Sequence, residues 1–292
     1  MEISVKLYSR IGELMQGVLP DASAFLVSGL PSEQWFSEAT LRHETVEASR
    51  GMSEGHGPAP AVLPPKAQEA LAMLEQQAGR SLPREVQIAL RSNIPWGKGL
   101  SSSSTDVLSV LSVANTFLEA GLSDADLYRI ASRVEPTDPC LSDDILVFYQ
   151  HTGSRGATIQ LPPVTLLYFD TAPAVCVDTL NVPRPWQEGA GVFFSWLLRR
   201  FMAAAETADY GLLFDAITYS AEYNQQILPT RGFTELYRLA EESGAALMVA
   251  HSGTIAGLLT KPEGSAELMV RLEALAGAAS PVYSEQYHSS YH

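Results

Sequence analysis

The chain has 292 residues, 46% of them hydrophobic, with a formal charge of −14 and a pI near 4.8: enough for a substantial core, and the wrong sign for nucleic acid or an anionic membrane as partner. Cys140 and Cys176 are the only cysteines, too few for a disulfide framework or a zinc site, and read as reduced thiols. The apolar stretch Val192 to Met202 is broken by Ser195, Arg199 and Arg200, so no membrane span is expected, and Met1 to Lys6 begins as a strand with no signal-peptide pattern, which points to a soluble cytoplasmic protein.

In chain order, Glu2 to Leu7 reads as a strand and Tyr8 to Val18 as a tight loop. Within that loop, Gly12, Glu13, Gln16 and Gly17 suggest either a site offering a charged and an amide side chain or a solvated turn. Ala24 to Leu30 and Leu41 to Ala48 read as strands, and Gly51 to Pro60, with His56, as a loop. Pro64 and Pro65 start a helix whose apolar face is Ala67, Ala70, Leu71 and Leu74, with Gly79 as its C-cap.

Arg84 to Arg91 alternates as a half-buried strand. From Val107 to Leu118 apolar residues fall almost all round a helix, which must therefore be central and buried. The loop between them, Pro95-Trp-Gly97-Lys98-Gly99-Leu100-Ser101-Ser102-Ser103-Ser104, has the composition that binds phosphate. Its glycines let backbone amides approach a ligand, and the helix N-terminus favours anions. No Gly-Lys-Ser/Thr closes it as in a Walker A loop, so serines rather than a lysine must reach a nucleotide or its metal. A single serine would suffice merely to cap the helix; four in a row favour phosphate.

Ser123 caps a helix from Asp124 to Val134, which must stop at Glu135-Pro136-Thr137-Asp138-Pro139. That segment is either a plain turn or a pair of carboxylates able to hold Mg²⁺ and take a hydroxyl proton. Asp143 and Asp144 read as exposed charges. Ile145 to Tyr149 and Ala157 to Gln160 read as strands, and Pro162-Pro163 as the boundary between a 1–161 domain and a 162–292 domain. Val164 to Asp170 and Val175 to Leu180, the latter with Asp178, read as strands, while Val192 to Ala208 and Gly211 to Leu228 read as helices. Leu213, Ile217, Ser220 and Asn224 share one stripe of the second helix. Phe233 to Ser243 is an amphipathic helix stopped by Gly244. Ala246 to Ala250 is a buried strand ending in His251-Ser252-Gly253-Thr254, small and hydroxyl residues suited to close approach of a ligand. Ser284 to His292 has no evident structural role.

Several of these segments together resemble one family. Pro95-x-x-x-Gly99-Leu100-Ser101-Ser102-Ser103 resembles the second motif of the GHMP kinases, with Ser101 in place of a glycine. Lys98 to Asp106, Gly12-Glu13-Leu14-Met15-Gln16-Gly17, Glu135-Pro-Thr-Asp138 and Ala250 to Leu259 are similar to segments of the L-threonine kinases of cobalamin synthesis and propanediol utilisation. So is Ser220-Ala-Glu-Tyr-Asn224-Gln225. Ile11 stands where that family usually has cysteine.

The resemblance implies an α+β, two-lobed GHMP fold, with a ribosomal S5-like N-terminal lobe and a ferredoxin-like C-terminal lobe. It implies ATP with Mg²⁺, phosphates held by Pro95, Gly97, Lys98, Gly99, Leu100, Ser101, Ser102, Ser103 and Ser104, Mg²⁺ ligated by Ser103 and Glu135, and Asp138 as the hydroxyl-orienting or deprotonating group. Glu13, Gln16, Thr137, Asp178, Ser220, Asn224, His251, Ser252, Gly253 and Thr254 are the implied substrate neighbourhood. The implied reaction phosphorylates the side-chain hydroxyl of L-threonine or a close hydroxy amino acid. The alternatives are a GHMP kinase for another small alcohol and a non-catalytic nucleotide-binding protein of the same fold.

Overall fold

The computed structural model describes residues 2–43, 63–178, 182, 185–278 and 280–288. Two antiparallel sheets form the frame. The first holds β1 (Glu2–Val18), β2 (Ala24–His43), β3 (Val86–Ser92), β4 (Ile145–Tyr149) and β5 (Ser154–Ile159), in the order β1-β2-β4-β5 with β3 also on β2. A 20-residue β2 makes this possible: β1 follows it along its length, β4 pairs at Leu26 and Val27, and β3 pairs from Ser37 onward. The second sheet has the order β7-β8-β6-β9, from β6 (Val164–Asp170), β7 (Ala246–Val249), β8 (Ile255–Thr260) and β9 (Tyr283–Tyr287).

Helices α1 (Pro65–Ala78), α2 (Ser102–Phe117) and α3 (Asp124–Val134) belong with the first sheet; α4 (Ala190–Glu206), α5 (Tyr210–Asn224), α6 (Phe233–Ser243) and α7 (Ser265–Ala276) belong with the second. As its all-round apolar surface requires, α2 is buried continuously from Ser104 to Leu111, its apolar side chains packing with Leu26, Leu41, Ala70 and Leu74. A separate apolar cluster, including Ile11, Met15, Leu166, Phe194 and Met248, fills the space where β1 meets the second sheet, α4 and α5.

Three expectations from sequence are corrected. Tyr8 to Val18 is not a loop but the second half of β1, carrying bulges between Tyr8 and Arg10 and between Glu13 and Met15. Its residues 9–18 are buried on both faces, so the alternation that betrays a half-buried strand is missing. Val175 to Asp178 is not a strand: Val177 N–H bonds Gly97 O at 3.1 Å and Val175 O bonds Lys98 Nζ, so the segment packs across the glycine loop instead of a sheet edge. Ser284 to Tyr287 belongs to β9, where buried Glu285 accepts the Ser32 hydroxyl at 3.0 Å and the Glu33 N–H at 3.1 Å. Residues 44–62, including the expected loop at 51–60, lie outside the described residues. Among the described residues no helix is long and apolar enough to cross a membrane.

Candidate active site

The loop between β3 and α2 takes an uncommon backbone path. Gly97 (φ +66°), Gly99 (φ +84°) and Ser101 (φ +52°) are all left-handed. Such residues turn successive N–H groups toward one side, a concavity that suits an anion. Ser101 therefore sits where glycine is least strained, and a serine there costs about 1–2 kcal/mol. The loop's outward carbonyls are taken: Lys98 O by the N–H groups of Thr254 and Ile255, both at 3.0 Å, Gly99 O by Gly12 N–H at 2.9 Å, and Gly97 O by Val177. A Cβ on Gly99 would stand 2.2 Å from Ala250 Cβ, and one on Gly253 would stand 2.1 Å from the Lys98 carbonyl carbon. Close backbone approach between the two sheets thus fixes the loop.

Inside lies a cavity of about 760 Å³, lined by residues 96–97 and 99–104, the start of α1, Glu135, Pro136 and Asp138, Glu13 and Gln16 of β1, and Cys176 to Asp178. The N-termini of α1 and α2 both open onto it. Glu135 ends α3, where Pro136 stops the helix, and its buried carboxylate is shared between the Ser103 hydroxyl and the Lys66 ammonium. Two adjoining hard oxygen donors suit Mg²⁺, which is commonly held by one or two protein ligands plus phosphate oxygens. Among the described residues no cluster of three or more metal-ligating side chains exists, and none is needed for that mode.

Asp138 is held from two sides. Its N–H donates to Ser104 Oγ at 3.0 Å, and its Oδ1 accepts from Gln150 Nε2 at 3.1 Å. Gln150 is oriented in turn by Gln16 Nε2, which donates to its Oε1 at 2.7 Å. Burial, and after it the negative charge of Glu13, push the Asp138 carboxyl up to about 7, against the opposing hydrogen bonds of Ser101 and Gln150. A carboxyl so tuned exchanges a proton near neutral pH.

Behind Glu13 runs a buried polar chain. Glu13 Oε2 accepts the His251 N–H at 3.0 Å and lies 3.5 Å from His251 Nδ1, while His251 Nε2 is 3.1 Å from Ser220 Oγ, which accepts the Gln16 N–H at 3.2 Å. Strand β1, helix α5 and the turn after β7 are thereby tied together at the cavity's edge.

Of the residues expected from sequence, Gly97, Gly99, Leu100, Ser101 to Ser104, Glu135, Asp138, Glu13, Gln16, Asp178 and Ser252 line the cavity. Ser220 and His251 support it from behind, whereas Pro95, Thr137, Asn224, Gly253 and Thr254 do not line it. Thr137 Oγ1, Thr254 Oγ1 and Asn224 Oδ1 are buried without a hydrogen-bond partner. Lys98 is a clear departure. Its ammonium turns away from the cavity to Asp170 at 2.8 Å and to the carbonyls of Ala172, Pro173 and Val175.

Three residues of the site, Gln150, Arg10 and Lys66, went unread, and a fourth, Asp106, was noted only as the end of the Lys98 to Asp106 motif. Gln150 looks like an ordinary polar residue at a strand end. Asp106, buried and bonded to Ser37 Oγ, lines the cavity from α2 with its carboxyl pushed up by burial. Arg10, buried, donates to the carbonyls of Gly29, Pro139, Ser142 and Asp144, fixing the chain just beyond Asp138, and burial lowers its pKa. Lys66 had one signal: a cation in the first turn of a helix that has no acid there.

Residues 66–151 match the family described as the GHMP kinases N terminal domain. The chain is 30% identical over 181 residues to an L-threonine kinase of Salmonella typhimurium, covering 60% of each, and 29% identical over 185 residues to one of Citrobacter freundii, covering 61% of this chain and 63% of that one. The match thus spans less than two thirds of these relatives' length. In fold it is similar to homoserine kinase from Cytophaga hutchinsonii (TM-score 0.65, 16% identity, 99% and 95% of the two chains). It is similar also to mevalonate kinase from methicillin-resistant Staphylococcus aureus (TM-score 0.61, 16% identity, 97% and 98% of the two chains).

Proposed function

We propose that this chain, whose residues 66–151 match the GHMP kinases N terminal domain and whose α+β two-lobed fold is similar to that of solved kinases of that kind, transfers the γ-phosphoryl group of ATP to the side-chain hydroxyl of L-threonine or a close hydroxy amino acid. The observation that carries the reading is Asp138: a carboxylate with its pKa raised toward neutrality, oriented by Gln150 and Ser104, in the same cavity as the left-handed glycine-serine loop. The loop amides and the N-terminus of α2 suit the phosphates. Ser103 and Glu135 suit Mg²⁺, which when bound would neutralise charge on the phosphoryl oxygens. Asp138 would accept the hydroxyl proton as the acceptor oxygen bonds to the γ-phosphorus and the bond from that phosphorus to the β,γ-bridging oxygen breaks, leaving ADP.

An amino acid as acceptor is supported by the pairing of Glu13 with Asp138. The charge of one carboxylate raises the pKa of the other, and an ammonium group arriving beside them would relieve that repulsion. The relatives' names favour L-threonine; that of a Listeria monocytogenes relative, 25% identical over 173 residues, makes homoserine the second candidate. The reading is tested by ADP release from MgATP with L-threonine, D-threonine, L-serine, L-homoserine, amino alcohols and hydroxy acids. Turnover chiefly with L-threonine is expected. Turnover restricted to hydroxy acids or alcohols without an amino group would overturn the acceptor, and none with any member would overturn the kinase.

A further inference from the structure

The charges around the cavity are unbalanced. Five carboxylates line it, those of Glu13, Asp106, Glu135, Asp138 and Asp178, and among the described lining residues Lys66 is the only lysine or arginine. A nucleoside triphosphate, strongly anionic, must be held in such a place by loop amides, by its metal and by whatever cation the chain supplies. Lys98, the lysine inside the glycine loop, is committed to Asp170 and three carbonyls on the far side. Lys66 stands in the first turn of α1, where the helix dipole disfavours a cation and no acid accompanies it, so helix stability does not account for it. Its side chain is one-third exposed and its ammonium rests on Glu135, the carboxylate that also touches Ser103.

We propose that Lys66 is the chain's own cation for the triphosphate, and that in the ligand-free protein it neutralises Glu135 until a metal-nucleotide complex arrives. This deepens the kinase reading above and rests on it. Ser103 meets Glu135 at Oε1 and Lys66 meets it at Oε2, so a metal ion held beside Ser103 draws off the carboxylate charge that keeps the ammonium there. As the metal takes the carboxylate, the ammonium is freed beside Ser103 in the first turn of α2, a helix N-terminus that suits phosphate oxygens. Lys66 then exchanges one oxyanion for another, and the buried carboxylate is never left without a cation. Metal and lysine compete at Glu135 before the nucleotide binds and act together once it is bound.

The test separates nucleotide charge from nucleoside fit. Equilibrium binding of MgATP, MgADP, adenosine and Mn²⁺ alone is measured for the wild type, Lys66→Met and Lys66→Arg. Lys66→Met is expected to weaken MgATP at least tenfold and MgADP less, to leave adenosine within twofold, and to tighten Mn²⁺ without nucleotide at least threefold, because Glu135 is freed. Lys66→Arg should restore most of the MgATP affinity. Unchanged MgATP binding in Lys66→Met, or equal losses for MgATP and adenosine, would overturn the inference while leaving the kinase reading intact. A wild type that binds no MgATP would overturn both. Lys66→Gln serves as the neutral variant should the methionine protein fail to fold.

Discussion

The Lys98 ammonium stands 2.8 Å from the Asp170 carboxylate, joining the middle of the glycine loop to the end of β6. The same ammonium donates to the carbonyls of Ala172 and Pro173, at 3.2 and 3.0 Å, and to that of Val175. A lysine embedded in the glycine-serine loop thus acts as a clasp between the two sheets. Lys98→Met leaves Asp170 and three carbonyls short of a donor, and should cost about 1–3 kcal/mol of stability, measured by denaturant unfolding. The accompanying loss of MgATP affinity should be indirect, and Asp170→Asn should reproduce part of it.

Asp138→Asn should lower turnover by about 10²- to 10⁴-fold while MgATP binding stays within a few-fold, since an amide keeps the shape and the Gln150 contact but takes no proton. For the wild type kcat/KM should climb with pH through the raised carboxyl, near 7. Stability should run the other way. Between the unfolded value and the raised folded one, the native state holds a proton that the unfolded chain has lost, so this group's contribution declines as pH rises from about 4 to about 7. Unfolding curves of the wild type and Asp138→Asn should therefore diverge over that window, with the asparagine protein gaining relative to the wild type as pH rises.

His251 holds Glu13 through its backbone N–H and places Nδ1 3.5 Å from it, and its other ring nitrogen meets Ser220. The acceptor side should feel its loss first. His251→Ala is expected to raise the KM for the hydroxy acceptor about tenfold and leave MgATP affinity within twofold, read by steady-state kinetics and calorimetry. Equal damage to both ligands would mean that the turn only holds the fold.

Gly253→Ala introduces a Cβ 2.1 Å from the Lys98 carbonyl carbon, and Gly99→Ala one 2.2 Å from Ala250 Cβ at a left-handed φ as well. Neither obstacle is a flexible side-chain end, so backbone must move. Both variants should be destabilised by about 1–3 kcal/mol, and Gly99→Ala should lose the more MgATP affinity because strain adds to overlap.

Residues with a local reason for their conformation were legible from sequence. Gly79 is the left-handed cap of α1, Ser123 makes a capping box with Asp126 at the start of α3, and α2 is buried as its apolar surface demands. The glycine-serine loop could be read because it breaks a regular pattern, whereas Glu135 and Asp138 stood out from a plain turn only through the resemblance of their segment to a family. What stayed hidden depended on long-range packing. Residues 9–18 of β1 read as a loop because burial on both faces removes alternation and Gly12 adopts φ +55° within a bulged strand. Gln150 carries no local mark, since only the fold brings Gln16 and Asp138 to either side of it. Nor does sequence say which way a lysine swings: Lys98 leaves the loop it sits in, and Lys66 reaches Glu135 across 69 positions.

The most direct measurement is phosphorus NMR of the protein incubated with MgATP and L-threonine. A new phosphomonoester resonance matching O-phospho-L-threonine, growing in step with ADP and absent with Asp138→Asn, is the expected result. Continued loss of ATP to inorganic phosphate with no ester, or the same ester formed as fast by Asp138→Asn, would contradict phosphoryl transfer to a hydroxyl oriented by Asp138.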